Sequence, residues 1–116
     1  MEKEFIPYEL ALRMKQLGFN EPCMRGWDKD GKIWYHPDSD IILDNPTYSQ
    51  AFRWFREKGY LISFSSHDDS IHDFYIKWQP SKSILSDTYD TYEEAELACL
   101  EKLIEIAEGN GKEEMF

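Results

Sequence analysis

The 116-residue sequence predicts an α+β fold, in which an antiparallel sheet of about four to five strands is covered by three helices. Two observations predict this class. Helical periodicity with capping residues occurs in three separate stretches, and short apolar stretches joined by turn residues lie between them. The predicted order is α-β-β-(β)-α-β-β-α. Because antiparallel hairpins need only one covered face, we expect the helices to pack on one face of the sheet.

The first helix is expected over residues 8–17, after an extended lead-in at residues 1–6. Pro7 suits the first helical position, because the N–H that proline lacks is not needed there. Apolar side chains then recur at helical spacing. Gly18 suits the left-handed residue that commonly ends a helix.

Strands are predicted where apolar and β-branched residues lie between turn residues. Asp28-Lys29-Asp30-Gly31 is interpreted as a hairpin turn, because Asp-Gly tolerates positive φ. A calcium loop is rejected, because Lys32 and Ser39 occupy positions where an EF-hand needs acidic ligands. Residues 80–88 are interpreted as a polar connection. The predicted strands are residues 23–27, 32–36, 60–65 and 71–78, with residues 41–43 as a short strand or an apolar plug.

The central stretch, residues 48–60, is the most aromatic and the most basic part of the chain. It is predicted to form a helix that Thr47 caps and Gly59 ends. Arg53, Trp54 and Arg56 lie off the predicted buried stripe, and they form the candidate binding group because Trp and Arg are common in interface hot spots. The alternative is that Trp54 packs on the sheet edge and the arginines pair with acids. The stripe consists of Tyr48, Ala51, Phe52 and Phe55.

The last helix is predicted from Thr91 to about residue 107. Thr91 and Glu94 have the spacing of a capping box, in which each side chain accepts from the other residue's backbone N–H. Residues 109–116 are expected to form a flexible tail. The length favours a single domain over residues 1–116.

The composition restricts the partners. The formal net charge is −10, from 13 basic and 23 acidic residues, so phosphates and anionic lipids are repelled. We therefore expect no direct nucleic-acid binding and no membrane binding. No signal peptide or membrane span is visible, and Cys23 and Cys99 form no CxxC pair, so the expected location is the cytoplasm.

Candidate chemistry is sparse. One loop combines imidazole and carboxylate groups, which are donors for zinc and similar ions. A solvated acidic loop is the favoured interpretation, because the loop has no HExxH helix and no cysteine, and no metal is assigned. No nucleophile motif and no phosphate-binding glycine loop is found, so we expect a non-enzymatic protein without a cofactor. The metal candidates are His67, Asp69 and His72, together with Asp68 and Asp73.

Four phrases resemble a family of small uncharacterised proteins of gut Bacteroidetes and of their phages and prophages. The resemblance implies a mobile-element setting and carries no known activity. The phrases are Phe5-Ile6-Pro7-Tyr8-Glu9 with Ala11; Leu17-Gly18-Phe19 with Glu21-Pro22-Cys23; Tyr48 with Gln50-Ala51-Phe52-Arg53-Trp54-Phe55-Arg56-Glu57-Lys58; and Thr91-Tyr92-Glu93-Glu94-Ala95-Glu96-Leu97-Ala98-Cys99-Leu100.

Three functions follow as expectations. The first is a module that binds another protein, since aromatic and Arg residues exceed what the predicted core needs. The second is an acidic mimic of nucleic acid that occupies a nucleic-acid-binding protein, which requires the carboxylates to form one continuous face. The third is a small-molecule binder with an aromatic-lined pocket. The oligomeric state is left open.

Overall fold

A computed structural model describes residues 2–36, 40–68 and 71–109, and it confirms an α+β fold with three helices. The chain divides into two compact units, Met1–Ala51 and Phe52–Phe116. The single domain expected from the length stays a prediction. The elements are α1 (Tyr8–Gln16), β1 (Arg25–Trp27), β2 (Ile33–Tyr35), β3 (Leu43–Asn45), α2 (Tyr48–Glu57), β4 (Leu61–Asp68), β5 (Ile71–Gln79), β6 (Lys82–Leu85) and α3 (Tyr92–Ala107).

The strands differ from the prediction in how they are grouped. Within the described residues they form two antiparallel three-stranded sheets, ordered β2-β1-β3 and β4-β5-β6, instead of one sheet of four to five strands. β6 falls in the stretch interpreted as a polar connection. This strand has only four residues, and they alternate between half-buried and exposed, so it has no apolar run that would reveal it.

The lead-in is also not extended throughout. Glu2–Glu4 forms one turn of 3-10 helix, and Phe5 makes an isolated antiparallel bridge with Thr47. The backbone N–H of Ile6 donates to the carbonyl of Pro46 at 3.1 Å. Phe5 and Ile6 are buried, at 6% and 2% exposure, so this segment belongs to the core of the first unit.

A buried polar pair connects this segment to the first sheet. Arg25 Nε donates to Asn45 Oδ1 at 2.8 Å, and Asn45 Nδ2 donates to the carbonyl of Ile6 at 2.9 Å. The Arg25 guanidinium also lies 3.8 Å from the ring centroid of Phe5. Buried polar groups require such partners, because an unpaired one loses its hydration without compensation.

Helix α2 begins and ends as its sequence predicts. Thr47 Oγ1 accepts from the N–H of Gln50, and the Gln50 side chain accepts from the N–H of Thr47, both at 3.1 Å. At the other end Gly59 has φ +101°, and the N–H of Tyr60 donates to the carbonyl of Phe55 at 3.2 Å. This is the Schellman pattern, in which a left-handed glycine lets the next amide close the last turn.

The second unit places one face of the β4-β5-β6 sheet in its core. Ile62, Phe74 and Ile76 are buried, whereas Ser63 is exposed and Tyr75 is half-buried. Helix α3 contributes six further buried side chains, and the capping box of Thr91 and Glu94 is confirmed. The predicted flexible tail lies outside the described residues from position 110 onward. The buried side chains of α3 are Ala95, Cys99, Leu100, Leu103, Ile104 and Ile106.

Candidate functional site

Trp54 lies inside the protein. Its side chain is 6% exposed, and its ring meets the ring of Phe55 edge-on at 5.0 Å. Lys58 Nζ lies 4.5 Å from the Trp54 ring centroid. The expected basic and aromatic surface therefore lacks its aromatic member. That Trp54 packs on the sheet edge and that the arginines pair with acids stays a prediction.

The two arginines of the predicted group remain exposed on α2. Arg56 Nη2 donates to the backbone carbonyl of Ile62 at 3.3 Å, so this side chain already contacts the beginning of β4. Arg53 also has an interaction partner within the protein. A binding role for Arg53 and Arg56 stays a prediction.

Two of the candidate metal ligands, His67 and Asp73, lie close together, whereas His72 contacts a serine. His67 Nε2 lies 3.3 Å from Asp73 Oδ2, and His72 Nδ1 lies 2.8 Å from Ser66 Oγ. Asp69 lies outside the described residues. Among the residues that are described, no group of three or more His, Cys, Asp or Glu side chains has a geometry that could hold a metal ion.

The contact between Ser66 and His72 was not predicted from the sequence. The two residues are opposite each other on β4 and β5, and the ring of His72 lies 6.4 Å from that of Tyr92. No sequence signal could have placed residue 66 opposite residue 72, because the register of β4 and β5 shifts between Ser66 and Asp68. Serine beside histidine is the first half of a nucleophilic arrangement, and it needs oxyanion donors as well.

The turn at Asp28 is confirmed as a hairpin turn. Its carboxylate accepts from the N–H groups of Asp30 and Lys32 at 2.8 and 2.9 Å and from Trp34 Nε1 at 2.8 Å. These hydrogen bonds, with that from Trp34 the largest contribution, lower the pKa of Asp28. Gly31 has φ +82° in this turn. The oxygen atoms of Asp28 thus stabilise the turn.

Both cysteines are buried free thiols. Burial, with smaller contributions from Asp44 and Glu21, raises the pKa of Cys23 to about 12. Burial also raises the pKa of Cys99, and Glu96 adds to this while Arg56 opposes it. Because the thiolate is the reactive form, neither cysteine is suited to act as a nucleophile near neutral pH.

The outward face of the second sheet carries two exposed leucines, and we name this surface the open sheet face. Leu61 and Leu85 are 59% and 70% exposed. Tyr75 lies directly opposite Leu85, and Leu61 is opposite Lys77, one diagonal step from Tyr75. The open sheet face consists of Leu61, Ser63, Ser65, Asp73, Tyr75, Lys77, Ser83 and Leu85.

The charge of this face differs from that of the chain. Lys77 and Asp73 are its charged members and have opposite signs, whereas the chain has a net charge of −10. A hollow of about 460 Å³ lies at one end, beside Leu61 and Trp78. It is open to solvent, so it is not the enclosed aromatic pocket that a small-molecule binder would need.

The comparisons with known proteins add little. No family model matches the chain, and no solved structure matches it. The chain is 33% identical over 79 residues to an ent-pimara-8(14),15-diene synthase of Oryza sativa subsp. japonica, which corresponds to 60% of this chain and 9% of that enzyme. The chain thus spans a small fraction of that enzyme. No helix in the described residues is both long and apolar enough to cross a membrane.

Proposed function

We propose that this protein binds another protein through the open sheet face. The observation that carries the proposal is the side-by-side placement of Leu61, Tyr75 and Leu85 on a face without net charge. Single exposed apolar residues are ordinary on protein surfaces, but contiguous ones mark interaction sites. Tyrosine is among the residue types enriched at protein interfaces, and Tyr75 lies between Leu61 and Leu85 on this face.

The surrounding residues fit a docking surface better than a reaction site. The serines at positions 63, 65 and 83 are small, so a partner can approach the Tyr75 ring closely. Lys77 lies beside the apolar group and supplies a polar rim. A phage or prophage setting and a cytoplasmic location stay part of this proposal, and the setting depends on the sequence resemblance alone.

Affinity purification from the organism that encodes the protein tests the proposal. The bait with Leu61→Ser and Leu85→Ser loses the apolar contact area and is expected to lose its partner. The matched control carries Met24→Ser and Ile42→Ser, which replace side chains that are 60% and 58% exposed in the other unit. We expect the control to retain the partner at the level of the unmodified protein.

Circular dichroism establishes that both double variants are folded before they are compared. Retention of the same partners by the Leu61→Ser, Leu85→Ser bait would reject the open sheet face. Loss of the partner from the control bait would also reject it, because the effect would then not be specific to this surface.

A second candidate function has one specific observation in its favour. Residues 87–108 contain eight acidic residues and one Lys, a formal charge of −7 out of the −10 of the chain. The spacings of seven and four residues place Glu94, Glu101 and Glu105 on one side of α3, and Glu108 follows directly after its last residue. Such a stripe supports an acidic mimic of nucleic acid, although a solvated helix face has the same pattern.

Competition during the same purification distinguishes the two candidates. If the partner is held by the acidic stripe, duplex DNA added to the wash displaces it, because both present rows of negative charge. If the open sheet face holds the partner, duplex DNA leaves it bound. The result expected here is that duplex DNA has no effect.

A further inference from the structure

Strand β4 has a neighbour on one side only. It is the edge strand of the β4-β5-β6 sheet, and no strand among the described residues pairs with its other side. Residues 61–67 contain no Lys, Arg, Asp, Glu, Pro or Gly. They therefore lack the charges and prolines with which proteins usually protect an exposed edge.

The hydrogen bonds that β5 makes on its other side identify the backbone groups of β4 that face the open edge. The N–H of Phe74 donates to Ser86 Oγ and its C=O accepts from the N–H of Ser86. His72 exchanges two backbone hydrogen bonds with Tyr89, so the N–H and C=O groups of Phe74 and His72 point away from β4. In an antiparallel ladder, residues opposite such positions also direct their groups away from the shared ladder. Phe64 and Ser66 are opposite Phe74 and His72, so their N–H and C=O groups point to the open edge.

The open part of the edge is short and has defined ends. At one end Arg56 Nη2 donates to the carbonyl of Ile62 at 3.3 Å, so this acceptor is occupied. At the other end the ladder with β5 is irregular between Ser66 and Asp68. Phe64 and Ser66 between them offer two donors and two acceptors to a further strand.

The same four groups on two copies of the chain can form hydrogen bonds with each other. If two copies of β4 meet antiparallel about a two-fold axis at Ser65, Phe64 of each copy pairs with Ser66 of the other. All four groups on both copies are then used, and the small side chains of the two Ser65 residues meet at the axis. This is an isologous contact, in which the same patch serves both copies.

Exposed aromatic surface favours the same occupant. Tyr92 is 40% exposed, and its ring lies 5.3 Å from that of Phe64, so it is at the level of the axis. Pairing of the edges removes part of this aromatic surface from water.

We infer that β4 pairs with β4 of a second copy of this chain, so that the two sheets join into one continuous sheet. The inference is independent of the proposed function, because it uses backbone groups at the sheet edge instead of side chains on the open sheet face. The two can therefore fail separately.

The mass of the purified full chain in solution tests the inference. Light scattering coupled to size exclusion is expected to give a mass that rises with concentration toward twice 13.8 kDa. Ser66→Pro removes an N–H that points away from β5 and is expected to keep the chain at the single-copy mass. Ser66→Ala retains that N–H and is expected to associate like the unmodified chain. Leu61→Ser with Leu85→Ser leaves the edge intact and is expected to leave the mass unchanged.

Amide hydrogen exchange on the unmodified chain gives a second readout that needs no variant. The amides of Phe64 and Ser66 are expected to gain protection as concentration rises, whereas those of Ser63 and Ser65 are protected throughout by β5. A single-copy mass at every soluble concentration, with no gain of protection at Phe64 and Ser66, would overturn the inference. So would a folded Ser66→Pro variant that still doubles its mass.

Discussion

Trp54 and Arg53 are neighbours in sequence with opposite environments, because Trp54 is buried and Arg53 is exposed. Truncating Trp54 to alanine leaves a cavity and removes its contact with Phe55, so we expect the free energy of unfolding to fall by about 3–5 kcal/mol. Arg53→Ala at the surface is expected to cost about 1 kcal/mol or less. Urea denaturation of both single variants measures the difference.

Equal effects of the two variants would contradict the burial of Trp54. A binding test that combines Trp54→Ala with Arg53→Ala would be unsuitable, because Trp54→Ala also lowers stability. Loss of binding in that double variant would follow from loss of stability, whatever surface the partner uses.

The buried thiols give a pH dependence with a definite sign. The pKa of Cys23 is raised to about 12 from the ordinary 9.0. As pH rises above 9 the unfolded chain loses this proton while the folded chain keeps it, so the free energy of unfolding falls. The pKa values of Cys99, Tyr60, Tyr89 and Tyr92 are raised in the same direction, mainly by burial.

Two measurements check this prediction. The urea midpoint is expected to be lower at about pH 10.5 than at about pH 8, since the shifted groups begin to titrate in the unfolded chain in this interval. A thiol reagent at about pH 8 is expected to react with neither cysteine until denaturant is added. Rapid labelling of the folded chain, or an unchanged midpoint, would contradict the raised pKa values.

Single-residue signals in the sequence predicted the helix ends well. Thr47, Gly59, Thr91 and Glu94 act through contacts within four residues, so their roles can be deduced without knowing the fold. The burial of Trp54 depends on which elements pack around α2. Helical spacing alone identifies one buried stripe and gives no measure of how far burial extends around the helix.

At the scale of the element, helix α3 depends on its first turn. Thr91 Oγ1 accepts from the N–H of Glu94 at 3.1 Å, and the Glu94 carboxylate accepts from the N–H of Thr91 at the same distance. Thr91→Ala removes this cap and is expected to lower the free energy of unfolding by about 1 kcal/mol. Thr88→Ala, in the exposed loop before the helix, is the matched control.

Urea denaturation of the two threonine variants is the measurement, and we expect little change for Thr88→Ala. A Thr91→Ala variant as stable as the control would mean that water replaces the cap at no cost. The prediction would then be wrong, and the capping box would be a local preference without a measurable share in stability.

Strand pairing was less predictable than strand existence. Alternation identified β5 and most of β4, because Phe74, Ile76 and their neighbours repeat with a period of two. It gave no information on which strands share a ladder, since that depends on contacts between distant residues. β6 was not predicted, because it is defined by its backbone pairing with β5, and its side chains show little of a strand pattern.

At the scale of the whole molecule, the net charge of −10 does not indicate where the proposed binding surface lies. The sequence predicted the strong net charge, but only the strand register shows that Leu61, Tyr75 and Leu85 lie together, because they come from three different strands. For this reason the sequence indicated α2 as the candidate site, whereas the strand register indicates the open sheet face. A surface assembled across strands has no contiguous signature in the chain.

Photo-crosslinking from position 75 tests the central claim most directly. A benzoylphenylalanine placed at Tyr75 reports what covers the open sheet face, and the same residue placed at Tyr35, a strand tyrosine that is 59% exposed in the other unit, is the control. We predict a cross-linked partner protein from position 75 and none from position 35. A partner captured from position 35 alone, or none from position 75 when the purified complex is irradiated, would contradict the account.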